Sequence, residues 1–310
     1  MPSTSTQVQI ISDLHLEYSR SETDAQKQYD SNIVPKAPIL ALLGDIGFVE
    51  DYKDASPKEP HHAAYLEERE QGFFGFLERQ VIKFEYVLYI MGNHEPYGTS
   101  WPKAKASMKA FEERMRLIHG IEQADGAKTR VFIFLDGSEI FDIPNCQVTI
   151  LGCTLFSHIQ PIQRDNIQSM LSDFIHIEDW DVEAHNKAHF RDVKRLNSQI
   201  ARIPLDRKIM IMTHYAPTLE RKAHNPQHWD NPFSSAFGTD LRSKDVWEDD
   251  RVVVWAFGHT HYNCDFVLER NHGLNGVSRP IRLVAEQKGS FWLGEEASQQ
   301  LRGKVIAIEP

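Results

Sequence analysis

Short, dense apolar runs alternate along the chain with longer stretches in which apolar residues recur at helical spacing. The runs have the length of β-strands and are rich in β-branched or large apolar side chains, as is typical of strands buried on both faces. They cover residues 8–11, 39–43, 86–91, 131–135, 148–151, 209–212 and 252–257. Between them, helical spacing predicts helices over residues 63–84, 101–118 and 182–203. Alternating strands and helices indicate a layered α/β architecture with parallel strand pairs.

The carboxyl end of the chain has a different pattern. Strand-like runs at residues 266–268, 279–285 and 304–308 are joined by turn-rich segments, which predicts a more antiparallel second sheet in the same domain. Two polar, proline-containing stretches, residues 51–62 and 215–244, lack regular spacing and are predicted to be long loops. Loops of this length inside a compact domain are usually functional or mobile.

Composition and charge restrict the classes of function. The chain has 310 residues and a formal net charge of −10, so it lacks the basic surface that binds a nucleic-acid backbone, and nucleic acid is not an expected partner. A small phosphate ester is not excluded, because bound metal ions change the local field. The three cysteines are too few for a disulfide framework and are predicted to be reduced. The sequence shows no signal peptide and no apolar run of about 18 residues, which predicts a soluble, cytoplasmic protein without a membrane segment.

Residue types that bind metals follow five of the predicted strands directly. In open α/β sheets, ligands bind at the carboxyl ends of the strands, so these side chains are expected to meet at one edge. The residues are Asp13 and His15 after the first run, Asp45 after the second, Asn93 and His94 after the third, His214 after the sixth, and His259 and His261 after the seventh.

The side-chain types in this set indicate a dinuclear centre. Carboxylate, imidazole and amide groups suit Mn, Fe, Zn or Ni, and the absence of cysteine disfavours a closed structural zinc site. Even without His94, the seven remaining residues are too many for one open catalytic site, whereas a bridging carboxylate can hold two ions roughly 3.5–4 Å apart. Each motif alone has a simpler interpretation, such as a turn at Asp-x-His or Gly-Asp and a helix cap at Asn93. Their joint occurrence at strand ends favours the metal site.

Five sequence blocks together resemble the calcineurin-like metallophosphoesterase superfamily. The blocks are Asp-Leu-His at 13–15, Gly-Asp at 44–45, Gly-Asn-His-Glu at 92–95, Thr-His at 213–214 and Gly-His-Thr-His at 258–261. The resemblance implies one domain over residues 1–310, folded as a four-layer α/β/β/α sandwich in which two mixed sheets are flanked by helices.

The same resemblance implies a role for each residue in the set. Asp13, His15 and His261 would hold the first metal, Asp45 would bridge, and Asn93, His214 and His259 would hold the second. His94 would not bind metal but would act as an acid or contact the phosphate. The expected reaction is hydrolysis of a phosphomonoester or phosphodiester through attack by a metal-bound hydroxide, with His94 assisting.

The sequence motifs restrict the identity of the substrate less than they restrict the residues of the site. Protein phosphatases of this superfamily continue the second block as Asp-Arg-Gly, whereas this chain reads Asp-Ile-Gly at 45–47, which disfavours a protein substrate. A small phosphoester is therefore the expected partner. A catalytically silent scaffold on the same fold is one alternative, and it is disfavoured because neither a ligand nor His94 is lost. A structural or storage metal protein is another, and it leaves His94 and the long loops unexplained.

Four further residues are considered for roles near the site. His158 follows a predicted strand and Tyr215 follows His214, so both are candidates for contact with the substrate. His185 and His189 lie four apart on one face of a predicted helix and are predicted to face solvent. The irregular stretch 215–244 begins beside the metal ligands and is the predicted segment for substrate selection.

Overall fold

Two β-sheets pack face to face, and helices cover the outer face of each. The computed structural model describes residues 5–17, 29, 31–49, 72–124, 130–229, 231–270, 279–288 and 301–309. Its strands are β1 (Thr6–Ile11), β2 (Ile39–Leu43), β3 (Tyr86–Ile90), β4 (Val131–Phe134), β5 (Ile140–Asp142), β6 (Val148–Cys153), β7 (Lys208–Thr213), β8 (Val252–Ala256), β9 (Cys264–Leu268), β10 (Ile281–Ala285) and β11 (Lys304–Ile308). Its helices are α1 (Gly72–Lys83), α2 (Trp101–Ala124), α3 (Arg164–Met170), α4 (Asp173–His176), α5 (Val182–Ile200) and α6 (Asp245–Glu248).

Both sheets are mixed. The first has the order β11-β1-β2-β3-β4, in which β1 to β4 are parallel and β11 is antiparallel to β1. The second has the order β5-β6-β7-β8-β10-β9, in which β6, β7, β8 and β10 are parallel and the two edge strands are antiparallel. The carboxyl ends of the parallel strands in each sheet therefore lie at one edge.

Side chains alternate between the two faces of each strand, and both faces are buried. Along β2, Ile39, Ala41 and Leu43 pack between the sheets, while Leu40 and Leu42 pack under α1 and α2. A second apolar cluster lies under α5 and α6 on the far side of the other sheet. Burial on both faces explains why these strands have continuous apolar sequences.

The described helices begin and end where local chemistry favours it. Asp181 caps α5, because its carboxylate accepts a hydrogen bond from the Ala184 N–H at 2.7 Å. Pro102 lies in the first turn of α2, where no intrahelical donor is lost.

Among the described residues, no helix is both long and apolar enough to cross a bilayer.

The predicted α/β sandwich is confirmed, with differences at the carboxyl end. The expectation of a more antiparallel second sheet at this end holds in part, since β9 and β10 pair antiparallel within the second sheet. It is wrong for the other pairings, because β10 lies parallel to β8 and β11 joins the first sheet. The sequence pattern also missed β5, which is short and partly exposed. The predicted helix 63–84 is described only over α1, and the predicted loop 51–62 lies outside the described residues.

Candidate metal centre

The loops after β1, β2, β7 and β8 are tied together by backbone hydrogen bonds. The N–H of Asp13 donates to the carbonyl of Gly44 at 3.1 Å, and the N–H of His15 donates to the carbonyl of Asp45 at 3.0 Å. In the other sheet, the N–H of Gly258 donates to the carbonyl of His214 at 2.9 Å. The structure thus brings the predicted residues to one place between the two sheets.

One group of candidate ligands contains Asp13, His15 and His261. Their donor atoms all lie within 4.8 Å of one another. His261 Nε2 is 3.1 Å from His15 Nε2 and 3.3 Å from Asp13 Oδ1. Asp13 is fully buried, whereas the His261 side chain is 35% exposed, so the group reaches from the interior to the surface. Carboxylate and imidazole at this separation can hold a divalent ion.

A second group contains Asp45, His214 and His259, again within 4.8 Å. Asp45 Oδ2 is 3.3 Å from His214 Nε2 and 3.8 Å from His15 Nε2 of the first group. Asp45 therefore lies between the two groups, where one carboxylate can serve two ions.

Asn93 adjoins the second group, with its Oδ1 3.0 Å from His214 Nε2. Its Nδ2 donates to Asp173 Oδ1 at 2.8 Å, which fixes the amide so that the oxygen faces the cluster. Asp173 also accepts hydrogen bonds from the hydroxyls of Tyr97 and Tyr215 at 2.6 and 3.3 Å. Burial raises the pKa of Asp173, although these hydrogen bonds oppose the shift.

The outer nitrogen of three candidate ligands is held by a hydrogen-bond acceptor. His15 Nδ1 lies 3.1 Å from Glu17 Oε1, His214 Nδ1 lies 2.8 Å from the Leu43 carbonyl, and His259 Nε2 lies 3.2 Å from the Ala236 carbonyl. An N–H at that position leaves the other ring nitrogen with its lone pair, as metal coordination requires. The residues present therefore fit a pair of metal ions.

Backbone conformation is strained at most of the candidate ligands. A left-handed φ costs a non-glycine residue roughly 1–3 kcal/mol and is concentrated at functional sites. Positive φ values occur at Asp13 (51°), His15 (47°), Asp45 (52°), His259 (67°) and His261 (46°). The bend after each strand turns these side chains toward the shared edge.

Close approach of the loops also requires a glycine. A Cβ at Gly92 would overlap Asp45 Oδ1 and approach the Asp45 N to 2.6 Å. The glycine that precedes Asn93 is therefore needed to let the loops after β2 and β3 touch.

Electrostatics keep the buried carboxylates ionised. Burial alone would raise the pKa of Asp45, but the neighbouring His214 and His94 lower it well below its ordinary value. Burial likewise opposes ionisation of Asp13, and its interactions with His261 and His214 lower its pKa overall. Ionised carboxylates are the form that binds metal.

His94 lies beside both groups without belonging to the predicted ligand set. Its Nε2 is 3.9 Å from Asp45 Oδ2, its Nδ1 is 3.2 Å from Glu17 Oε1, and its ring stacks on Tyr97 at 4.4 Å. Burial would lower the pKa of His94, but Asp45 and Glu17 raise it to about 9. His94 also forms a group with His15 and Asp45 whose donor atoms lie within 4.8 Å, so direct coordination is geometrically open.

Two acidic side chains that the sequence analysis did not single out support this arrangement. Glu17 contacts both His15 and His94 through one carboxylate oxygen. Its position two residues after His15 was the sequence feature that could have identified it. Glu95 accepts hydrogen bonds from the N–H groups of Gly92, Asp45 and Ile46 and from the Tyr89 hydroxyl. Burial and the charge of Asp45 raise the pKa of Glu95 to about 7. Asp173, described above, has no local sequence signal.

The predicted substrate contacts lie outside the two groups. Tyr215 is fully buried, and its ring centroid is 4.0 Å from that of His259. This contact favours a role in holding the His259 ring in place. His158 is half-buried beside Phe190, with its N–H bonded to Thr239 Oγ1 at 2.7 Å. Contact of either residue with a substrate stays a prediction.

The predicted solvent exposure of His185 and His189 is wrong. Both are buried on the inner face of α5. His185 Nε2 accepts a hydrogen bond from the Ser157 N–H at 3.2 Å, and His189 Nδ1 bonds to the Leu155 carbonyl at 3.0 Å. The error arose because two polar residues on one helical face were assumed to be hydrated, whereas main-chain groups after β6 bond one ring nitrogen of each.

Comparisons with known proteins were made at the level of sequence and of fold. The chain has no match among curated proteins. The crystal structure of the phosphopantetheinyl hydrolase PptH from Mycobacterium tuberculosis is similar, with a TM-score of 0.58, 14% identity, and coverage of 93% of this chain and 90% of that one. At this identity the likeness shows the fold alone. GAP50, the anchor in the inner membrane complex of Plasmodium, has 10% identity, coverage of 98% and 77%, and a TM-score of 0.41, which is too low to support an inference.

The decisive comparison is with a family profile. Residues 7–263 match the profile of the calcineurin-like phosphoesterases, and this range contains all of the candidate ligands. Because the match covers most of the chain, the protein belongs to the calcineurin-like phosphoesterase family.

Proposed function

We propose that this protein hydrolyses a small phosphate ester, either a monoester or a diester, at a dinuclear metal centre. The ligands of the centre are Asp13, His15, Asp45, Asn93, His214, His259 and His261. The observation that carries the proposal is the position of Asp45 between two groups of donor atoms, each within 4.8 Å. Family membership supports the same class of reaction.

Two bound cations would supply an activated water and offset the negative charge on the phosphoryl oxygens. The chain itself holds the ligands, excludes bulk water from the buried side of the centre, and provides a proton donor. Asp13, Asp45 and His214 are almost completely buried, which strengthens each electrostatic interaction in the site.

His94 is the proposed proton donor to the leaving oxygen. With Nδ1 held by Glu17, its Nε2–H points toward the space beside Asp45. The Glu17 carboxylate beside Nδ1 raises the pKa of His94 and so favours the protonated ring that a general acid needs. Stacking on Tyr97 restricts rotation of the ring. A general acid typically contributes a factor of about 10²–10⁴ to the rate.

Hydrolysis of p-nitrophenyl phosphate and bis-p-nitrophenyl phosphate tests the proposal. The purified protein is assayed with Mn²⁺ or Ni²⁺, before and after removal of metal by a chelator. We expect turnover of at least one ester, loss of it on chelation, and recovery when metal is restored.

Asp45→Asn is the informative variant, because one residue serves both groups. It should lose activity and bind fewer metal ions by elemental analysis, whereas Asp206→Asn, on the exposed turn before β7, should behave as the wild type. Metal-loaded protein that hydrolyses neither ester with any metal would favour the catalytically silent scaffold. Full metal content in Asp45→Asn would refute its bridging role.

A further inference from the structure

A cavity of about 230 Å³ lies beside the candidate metal centre. Residues from 219–229 and 234–237 form most of its wall, and they belong to the stretch that the sequence predicted to be a loop. The cavity is lined by Leu219, Arg221, His224, Asn225, His228, Trp229, Ser234, Phe237 and Thr260.

The cavity shares a wall with the metal centre. Thr260 lies between His259 and His261 in the chain, and it lines the cavity. The ring of Phe237, also in the wall, is 5.4 Å from the ring of His259. A molecule whose phosphate binds at the centre could therefore extend its organic group into this space.

The charge of the cavity is opposite to that of the whole protein. The described residues that line it include the guanidinium of Arg221 and no carboxylate, although the chain has a net charge of −10. The adjacent Glu220 is paired instead with Arg242, at 3.2 Å. Within the part of the chain that the structure describes, Arg221 has no ion-pair partner. Its hydrogen-bond donors are therefore available to an anion.

Aromatic surface in the same cavity is held in place. Arg221 Cζ lies 4.7 Å from the centroid of the Trp229 ring, and Trp229 Nε1 donates to the His224 carbonyl at 3.3 Å. Trp229 nevertheless remains 39% exposed, and Leu219 at the same cavity is 50% exposed. Exposed apolar side chains grouped at a cavity indicate a binding surface.

Size determines how much of a ligand this cavity can take. Sites that enclose a complete small molecule usually measure about 300–1,000 Å³. A smaller cavity that adjoins the metal centre fits one part of a substrate, while the scissile phosphate occupies the centre itself.

We propose that this cavity is a specificity subsite for a nucleotide-like group, which stacks a flat ring against Trp229 and places a second anionic group on Arg221. The proposal rests on the proposed function, because it requires the first phosphate to bind at the metal centre. It assigns the substrate to phosphoesters that carry a planar ring and a further negative charge.

Isothermal titration calorimetry of the metal-loaded protein tests the subsite directly. The probes are adenosine 3′,5′-bisphosphate, adenosine 5′-monophosphate and inorganic phosphate. We expect the bisphosphate to bind most tightly and inorganic phosphate most weakly. Arg221→Gln should weaken the bisphosphate roughly 10- to 100-fold, the range for a hydrogen bond between charged groups, and should affect inorganic phosphate least. Trp229→Leu should weaken both nucleotides, and Trp229→Phe should restore part of the affinity because it keeps an aromatic face.

Lys222→Gln is the matched control, since Lys222 is the neighbouring cation in the chain but does not line the cavity. It should bind all probes as the wild type does. Equal affinities for the bisphosphate and inorganic phosphate, or equal losses in Arg221→Gln and Lys222→Gln, would overturn the proposal.

An assay of p-nitrophenyl phosphate hydrolysis by the wild type distinguishes failure of the proposed phosphoesterase function from failure of the proposed subsite. Arg221-dependent nucleotide binding without hydrolysis of any ester would uphold the subsite and refute the phosphoesterase. Hydrolysis without Arg221-dependent binding would uphold the enzyme and refute the subsite.

Discussion

Acid should destabilise this protein through two buried histidines on α5. Burial lowers the pKa of His185 from an ordinary value of 6.5 to about 3, and the neighbouring His189 adds to the shift. Burial lowers the pKa of His189 to about 4, although hydrogen bonds to the main chain oppose this. Both side chains are therefore neutral in the folded protein at pH 5, whereas they are largely protonated in the unfolded chain.

The direction of this pH effect on stability follows from the number of protons that the folded and unfolded states bind. Between about pH 6.5 and pH 4, the unfolded state binds more protons than the folded state, so the free energy of unfolding falls as the pH falls. The contribution of the two neutral histidines to the free energy of unfolding is fully present above pH 6.5. With these pKa values, lowering the pH from 8 to 5 costs about 2 kcal/mol for each histidine. The pair together would remove a large part of the stability of a typical domain.

Urea denaturation at pH 8, 7, 6 and 5 measures the effect, with His185→Gln as the test variant. Glutamine offers an acceptor to the Ser157 N–H but does not titrate. Other groups, including the candidate metal ligands, titrate equally in both proteins and cancel in the comparison. The wild type should lose about 2 kcal/mol more than the variant between pH 8 and pH 5. His228→Gln, at an exposed position, should follow the wild type.

Equal losses of stability in the wild type and in His185→Gln would refute the reasoning. That outcome would mean that His185 is protonated in the folded protein, or that it becomes hydrated as the pH falls.

The candidate centre yields further predictions. His94→Gln should keep its metal content by elemental analysis and lose roughly 10²–10⁴-fold in kcat; an unchanged rate would remove it from the mechanism. Glu17→Gln keeps an acceptor for His94 but loses the charge, so it should slow hydrolysis of phenyl phosphate more than that of p-nitrophenyl phosphate, whose leaving group needs less protonation. Equal slowing of the two esters would contradict a role for Glu17 in proton donation. Asp173→Asn should weaken the binding of one metal ion roughly 10- to 100-fold in a calorimetric titration, because Asp173 orients the amide of Asn93. Unchanged affinity for both ions would show that Asn93 is oriented by other contacts.

Local sequence patterns located every described strand except β5 and placed the candidate ligand residues directly after five of these strands. β2 is recognisable because all of its side chains are buried, and Asp45 is recognisable because it follows that strand directly. The pairing of strands that are distant in sequence could not be predicted from local patterns, since β11 pairs with β1 from the opposite end of the chain. Asp173 contacts Asn93 from a four-residue helix, and nothing in the local sequence marks such a contact.

The carbonyl of Ala236 would link the proposed subsite to the proposed metal centre. It binds His259 Nε2, and it belongs to the same stretch whose other residues line the cavity. Rearrangement around residue 236 would loosen the imidazole of His259 and so weaken the proposed metal binding. Engineers who graft this stretch between relatives should therefore transplant its second half together with the strand end that it contacts.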